Sequence, residues 1–337
     1  WYGESAWSWG NNEYDPPFAH YIEFLRGGDP RWSILGAEAA RHLTDVDTVN
    51  YSTQSDQLGA QYTHMPGHAG GYLPPYFRSK MSGSSNTTSH TWVEGSVLHY
   101  LLTGDENLRE SLDRTASWLL GAGLKDCPGG IQHYDFVNCR ECGWHLIHLT
   151  ALARMSAANR YLNAAALIVD RVLERQEPEG GWERVLKEGH CGCEPPRERG
   201  EAGFMVGVLL SGLRRYHELT GDEQVKEAIE GGVRWLIRRT YEADSGHFRY
   251  TPCLHRGGGP GPVYTRQVIE GIAYAHSLSG DKELREMVER GLSDLTHLPE
   301  ASLEASSEVA PPGFGKDWAS QTRYVPSLLA YLTRTAN

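Results

Sequence analysis

The 337-residue sequence predicts an all-α fold, an α/α toroid built as an incomplete (α/α)6 barrel of helical hairpins with long loops on one face. Three observations predict it. A Gly-Asp pair recurs at Gly28-Asp29, Gly104-Asp105, Gly221-Asp222 and Gly280-Asp281, each time after an apolar periodic stretch and before a charged amphipathic one. The helices on either side of these pairs alternate in character along the chain. The connections alternate too, short within a hairpin and long between hairpins.

The turn motif is clearest where Tyr100–Arg109 (YLLTGDENLR) is set beside His217–Lys226 (HELTGDEQVK) and His276–Arg285 (HSLSGDKELR). Glycine takes the left-handed position that ends one helix, and aspartate caps the next. In a further copy Asn159-Arg160 stands in place of the pair. The first members of the hairpins, Thr91–Thr103, Gly143–Ala157, Ala202–Leu219 and Thr265–Ser279, are rich in Gly, Ala, Leu and Val. The second members, Glu106–Leu120, Tyr161–Gln176, Glu223–Arg239 and Lys282–Leu295, carry charge on one face and apolar residues on the other. An apolar inner ring wrapped by an amphipathic outer ring follows, with Ser320–Thr333 as a last helix without a partner. Strand patterns are sparse, which argues against an α/β fold. The chain reads as one domain over residues 1–337, and its opening at Trp1-Tyr2-Gly3 reads as a domain of a longer protein.

Composition narrows the function. A net charge of −11, from 32 Lys+Arg against 43 Asp+Glu, is the wrong sign for tracking phosphates, so no nucleic acid is expected as partner. No apolar run of about 18 residues is present, so no helix is expected to cross a membrane. Trp and Tyr number 10 and 17 against 7 Phe, and amphipathic rings in excess suit a polar cleft that stacks sugars. The competing expectation is that most of these rings serve the core.

The long connections, Asp47–Ser89, Lys125–Arg140, Glu177–Gly200 and Tyr241–Tyr264, should share one face with the N-termini of the inner helices. Those N-termini carry partial positive charge and favour a carboxylate ligand. The loop Gln61–Tyr72 is dense in candidates, with Tyr62, His64, His68 and Tyr72, and His90 and Glu94 stand four apart at the start of the next inner helix. Near the N-terminus Trp7, Trp9, Glu13, Tyr14 and Asp15 offer ring platforms and carboxylates for substrate binding. Glu94 with Glu13 or Asp15 is one reading as a glycosidase acid/base pair. Asp15 before Pro16 equally fits a helix N-cap beside a helix-start proline.

The cysteines carry a separate signal. Cys139 and Cys142 open one inner helix, and His190, Cys191 and Cys193 lie in the loop before the next. Four thiolates at this spacing, with His190 as a substitute, would hold Zn²⁺ tetrahedrally. The alternative is two disulfides or buried thiols. Cys127 and Cys253 have no partner that the sequence reveals.

The run from Trp1 to Asp15, the segment Gly67–Tyr72 (GHAGGY) and the segment His90–Gly95 (HTWVEG) together resemble the C-terminal α/α toroid of exo-rhamnogalacturonan lyase-like proteins. The stretch Glu141–Trp144 through Gly181-Trp182 to Gly203–Gly207 is similar to bacterial relatives of unassigned activity, so the resemblance covers nearly the whole chain. It implies a carbohydrate-active domain, a polysaccharide lyase that cleaves a uronate-containing polysaccharide by β-elimination in an extracellular or periplasmic setting. It also implies β-rich domains preceding the toroid in the full-length protein. In such a lyase Arg140 and Arg266 would neutralise the uronate carboxylate, and His68 or His64 would take the C5 proton. Tyr62, Tyr72 or His90 would protonate the leaving oxygen, and Trp7, Trp9 and Trp92 would stack sugar faces. Two alternatives stay open, a glycoside hydrolase using Glu94 with Glu13 or Asp15, and a non-catalytic glycan-binding or assembly domain.

Overall fold

The computed structural model describes residues 13–53, 55–61, 87–121, 127, 129–156, 158–296, 318–320 and 322–333. Helix follows helix through nearly all of it: α1 (Pro16–Gly27), α2 (Pro30–His42), α3 (Glu94–Thr103), α4 (Glu106–Leu120), α5 (Cys139–Ser156) and α6 (Asn159–Arg175). These are followed by α7 (Gly203–Thr220), α8 (Glu223–Thr240), α9 (Pro262–Ser279), α10 (Lys282–Thr296) and α11 (Val325–Thr333). Among the described residues the strands are four pieces of two residues, β1 (Arg184–Val185), β2 (Arg199–Gly200), β3 (Tyr241–Glu242) and β4 (His247–Phe248), paired antiparallel as β1–β2 and β3–β4.

The hairpin turns form as the motif requires. Gly28, Gly104, Gly221 and Gly280 sit at φ 73°, 69°, 67° and 71°, a left-handed region costly for a residue with a Cβ. Each donates its N–H to a carbonyl four residues back, those of Phe24, Tyr100, His217 and His276. The next residue then caps the following helix, where Asp29, Asp105, Asp222 and Asp281 accept from the N–H of Arg31, Asn107, Gln224 and Glu283. Helix starts shift slightly from the sequence expectation. α3 begins at Glu94 because residues 88–90 form a separate short turn. α5 begins at Cys139 because the Asn138 side chain accepts the N–H of Glu141 at 3.1 Å, and α9 begins at Pro262, whose ring suits a first helical position.

The chain divides into two compact units. The first comprises residues 1–135, 148–167 and 300–323, and the second residues 136–147, 168–299 and 324–337. In the first, α1 packs against α2 and α3. Asp15 ties them together, one carboxyl oxygen accepting the N–H of Phe18 at 3.2 Å and the other that of Gly95 at 3.1 Å. The Arg323 guanidinium lies beneath, donating to Glu94 Oε2 at 2.5 Å and to the Tyr14 carbonyl at 3.0 Å.

In the second unit the inner helices approach backbone to backbone. A Cβ on Gly143 would stand 2.5 Å from the carbonyl of Val208 on α7, and one on Gly207 would stand 2.1 Å from the Gln267 carbonyl on α9. This is why the first members of the hairpins are rich in small residues. The amphipathic α8 turns Val225, Ala228, Ile229, Val233 and Leu236 inward, as its period demands. Glu270 on α9 is buried between Arg214 (3.4 Å) and Arg215 (3.6 Å), and the hydroxyls of Ser211 and Ser327 donate to its oxygens. Burial alone would raise the Glu270 carboxyl, but the two guanidinium groups and the hydroxyls outweigh it and bring the group down to about 2.

Two outcomes follow from this packing. Gly207→Ala should lower stability by about 1–3 kcal/mol, because backbone rather than a flexible side chain blocks the methyl; the shift in the urea midpoint reads it. Glu270 is depressed from 4.5, so its contribution is full above about 4.5 and is lost as the pH falls toward about 2. That contribution is on the order of 3 kcal/mol. Acid titration of unfolding free energy should therefore be less steep in this range for Glu270→Gln than for the wild type.

Candidate active site

The second unit concentrates cationic, aromatic and imidazole groups on the loops that precede α7 and α9. The β1–β2 pairing, with Arg184 opposite Gly200, brings Arg184 onto Glu201 at the entrance of α7. The guanidinium makes two bonds to that carboxylate, at 2.8 and 2.9 Å, and Glu201 is fully buried. Past β1 the chain turns tightly, and the N–H groups of His190 and Cys191 both donate to the Lys187 carbonyl. The turn presents His190 to Tyr250, which the β3–β4 pair delivers from the next loop. The two rings lie parallel, with centroids 5.6 Å apart and planes 4° apart, and the Tyr250 hydroxyl is 3.1 Å from His190 Nδ1.

Around this pair stand Phe204 from the first turn of α7 (5.7 Å between ring centroids), Tyr264 from the first turn of α9 (5.5 Å) and the Arg256 guanidinium 4.0 Å over the Tyr250 ring. Arg140, from the first turn of α5, lies 6.0 Å over Phe204. His190, Tyr250, Tyr264, Arg140 and Arg256 are all half-buried, open to a ligand yet held. Burial, and next the Arg184 guanidinium, lower the His190 imidazole below its ordinary value, and burial raises the Tyr250 phenol. The group thus sets an imidazole beside a protonated phenol, near guanidinium groups suited to a carboxylate.

The sequence-derived candidates divide into three sets. Trp7, Trp9, Tyr62, His64, His68 and Tyr72 lie outside the described residues. Glu13, Tyr14, His90, Trp92 and Glu94 are brought together in the first unit, where Tyr14 stacks on Trp92 at 5.9 Å and His90 meets it edge-on at 6.5 Å. Trp92 is fully buried, with its backbone held on both sides by the Gln61 amide at 2.7 and 2.9 Å. It fills the core here instead of presenting a face to a sugar, with Tyr14 stacked on it and the Gln61 amide holding its backbone. Glu94 is occupied by Arg323, and Asp15 is the N-cap of α1. Burial raises the Asp15 carboxyl to about 6, opposed by Arg323 and reinforced by Glu94.

The third set lies in the second unit. Arg140 joins the aromatic group described above, and Arg266 is half-buried on α9, two residues beyond Tyr264. The expected ligand set of Cys139, Cys142, Cys191 and Cys193 with His190 does not assemble. Among the described residues, the thiols that come within metal-binding reach of one another are Cys191, Cys193 and Cys253. Cys139 and Cys142 are buried on α5, whose next residue, Gly143, lies against α7, and burial pushes the Cys139 thiol well up. His190 turns its Nδ1 to Tyr250 instead. No disulfide joins any two of the six cysteines in this structure. Sequence reasoning missed Arg184, Tyr250, Cys253 and Arg256; their one visible signal was a place in the long Glu177–Gly200 and Tyr241–Tyr264 connections.

No protein-family model matches the chain, and no curated protein matches it in sequence. Solved structures do resemble it. A polysaccharide lyase matches with a TM-score of 0.66 at 12% identity, covering 99% of this chain and 93% of that one. An unsaturated glucuronyl hydrolase specific for heparin matches at 0.61 and 14%, covering 96% and 85%. A sugar epimerase from a ruminal bacterium matches at 0.62 and 10%, covering 87% and 77%. At these identities the likeness establishes the fold, the α/α toroid expected from the hairpin repeat.

Removing Arg184 would leave the Glu201 carboxylate buried and unpaired, and Arg184→Met should cost about 3–5 kcal/mol in urea unfolding. The double variant Arg184→Met/Glu201→Gln should recover part of that loss.

Proposed function

We propose that the chain is a carbohydrate-active enzyme, a polysaccharide lyase that cleaves a uronate-containing, rhamnogalacturonan-like polysaccharide by β-elimination. The observation that carries this reading is the half-buried His190–Tyr250 pair, at 3.1 Å, with Arg256 over the Tyr250 ring and Arg140 over the adjoining Phe204 ring. β-Elimination needs a cation on the uronate carboxylate, a base at C5 and an acid at the C4 oxygen, and these residues supply one of each kind. Arg256 and Arg140 bind the carboxylate and draw charge from C5. His190 takes the C5 proton, the electrons of that C–H bond form the C4–C5 double bond, and the C4–O bond breaks. Tyr250 gives its proton to the departing oxygen and is reprotonated from solvent, to which His190 releases the proton it took. Tyr264 and Phe204 offer ring faces to the neighbouring sugars.

The likeness to a polysaccharide lyase and to a glucuronyl hydrolase supports the substrate class. A polymeric uronate substrate places the enzyme outside the cell or in a periplasm, and the β-rich domains implied by the family resemblance would extend its binding surface. The loop residues Tyr62, His64, His68 and Tyr72, with His90, form the competing assignment of base and acid.

One observation favours a second reading. Burial raises Asp15 to about 6, with the Glu94 carboxylate adding to the rise, as suits the acid of a glycoside hydrolase that uses Glu94 with Asp15 or Glu13.

Near-ultraviolet absorbance during incubation with a panel of uronate polysaccharides separates the readings. The lyase produces an unsaturated uronate and a rising signal, and His190→Ala and Tyr250→Phe each lower kcat by at least about 100-fold. If instead His68→Ala abolishes cleavage while the His190 and Tyr250 variants remain active, the site lies on the His64–His68 loop. New reducing ends without absorbance point to the hydrolase, and binding without any product points to a glycan-binding domain.

A further inference from the structure

The turn that carries His190 continues directly into Cys191 and Cys193, and these face Cys253 and His255 of the adjoining loop. The sulfur of Cys253 lies 3.7 Å from that of Cys191 and 3.9 Å from that of Cys193. His255 Nδ1 lies 3.5 Å from Cys193 Sγ. A tetrahedral zinc with Zn–S of about 2.3 Å and Zn–N of about 2.0–2.1 Å sets neighbouring sulfurs about 3.8 Å apart and sulfur and nitrogen about 3.5 Å apart. A disulfide would need its sulfurs at about 2.05 Å and would leave the third thiol over.

The backbone is arranged for thiolates as well. The N–H of Gly192 points to Cys253 Sγ at 3.4 Å, and that of Cys193 to Cys191 Sγ at 3.5 Å, which is how thiolate ligands are held and oriented. Gly192 itself has no room for a side chain, since a Cβ there would stand 2.0 Å from the His255 carbonyl. The three sulfurs are nearly enclosed, with Leu186 completing the cluster, while His255 is exposed on the short turn Leu254–Arg256, so its ring would have to close over the three sulfurs to complete the site.

We propose that Cys191, Cys193, Cys253 and His255 form a structural zinc site that clamps the Glu177–Gly200 connection to the Tyr241–Tyr264 connection. Three thiols lose their protons as the ion binds, and four protein ligands leave no open position, so the metal holds structure and takes no part in chemistry. A second tie lies beside it, with Arg256 Nε donating to the Gly189 carbonyl and the Thr251 hydroxyl to the His190 carbonyl, both at 3.0 Å. Because His190 precedes Cys191 and Arg256 follows His255, the ion fixes the spacing of the residues assigned above to catalysis. This last consequence rests on the lyase reading; the metal site does not.

The test uses the purified full chain. Its zinc content should be about one ion per chain, and after removal by chelator, titration with Co²⁺ should give the intense visible bands and near-ultraviolet charge transfer of a tetrahedral thiolate site. Cys193→Ser and Cys253→Ser should lose those bands, and Cys127→Ser should keep them. His255→Gln, in an exposed turn and thus expected to fold, should keep the thiolate charge transfer but weaken zinc binding roughly tenfold or more. Far-ultraviolet circular dichroism reports whether each variant has folded. Folded protein without the cobalt bands, bands that survive Cys253→Ser, bands that depend on Cys139, or a disulfide found by mass spectrometry would each overturn the site. These readouts hold whether or not any polysaccharide is cleaved, so a failed lyase assay and a failed metal site are told apart.

Discussion

The tight Gly-Asp turn is the constraint from which the rest of the structure follows. A glycine in the left-handed region and an aspartate that caps the next helix reverse the chain within two residues, as at Gly221 and Asp222. Such a turn leaves no length for chemistry. The connections from one hairpin to the next must cover a longer path, and they have the room to carry side chains with special tasks. The division of labour between quiet turns and populated loops is therefore built in before any tertiary contact forms. Within the second unit, the inner helices then close to backbone contact at Gly143 and Gly207, which brings the first turns of α5, α7 and α9, with Arg140, Phe204 and Tyr264, to a common group of loops.

Charge is used inside both units in a related way. Arg323 with Glu94 in one, and Arg214 and Arg215 with Glu270 in the other, place guanidinium groups against carboxylates away from water. Such pairs gain little over a well-packed apolar core, but breaking one leaves a buried charge unpaired, so they penalise misdocked arrangements strongly. The bidentate Arg184–Glu201 pair acts the same way at the edge of the candidate site. It settles the entrance of α7, and the turn bearing His190 lies a few residues from Arg184 on the same strand-led loop.

Much of the fold was legible because helix periodicity, capping and turn chemistry are local. The four Gly-Asp turns and the paired helices on either side of them appear where the repeat placed them. The site was legible only in part. Arg140, which joins the candidate site, was expected as a substrate-binding residue from its place at an inner-helix start, and His190 was expected as a metal ligand. Its imidazole faces Tyr250, a residue 60 positions away, and no spacing rule connects the two. The thiols teach the same lesson: Cys139-x-x-Cys142 has the look of a ligand pair, yet helix α5 carries both residues into the core, while the isolated Cys253 meets Cys191 across two loops.

The sequence by itself determined the architecture, an all-α chain of hairpins in an α/α toroid with short turns inside the hairpins and long connections between them. Those features depend on periods of three to four residues and on single glycine and aspartate positions, which act over distances shorter than one helical turn. Only the tertiary structure decided which loop residues meet. It joined His190 to Tyr250 and Arg256, gathered Cys191, Cys193 and Cys253 with His255, and gave Asp15 and Glu94 to packing partners. The physical reason is that side-chain encounters between loops are set by how closely the helices beneath them pack and by the register of two-residue strand pairs. Neither quantity is written in any one stretch of chain.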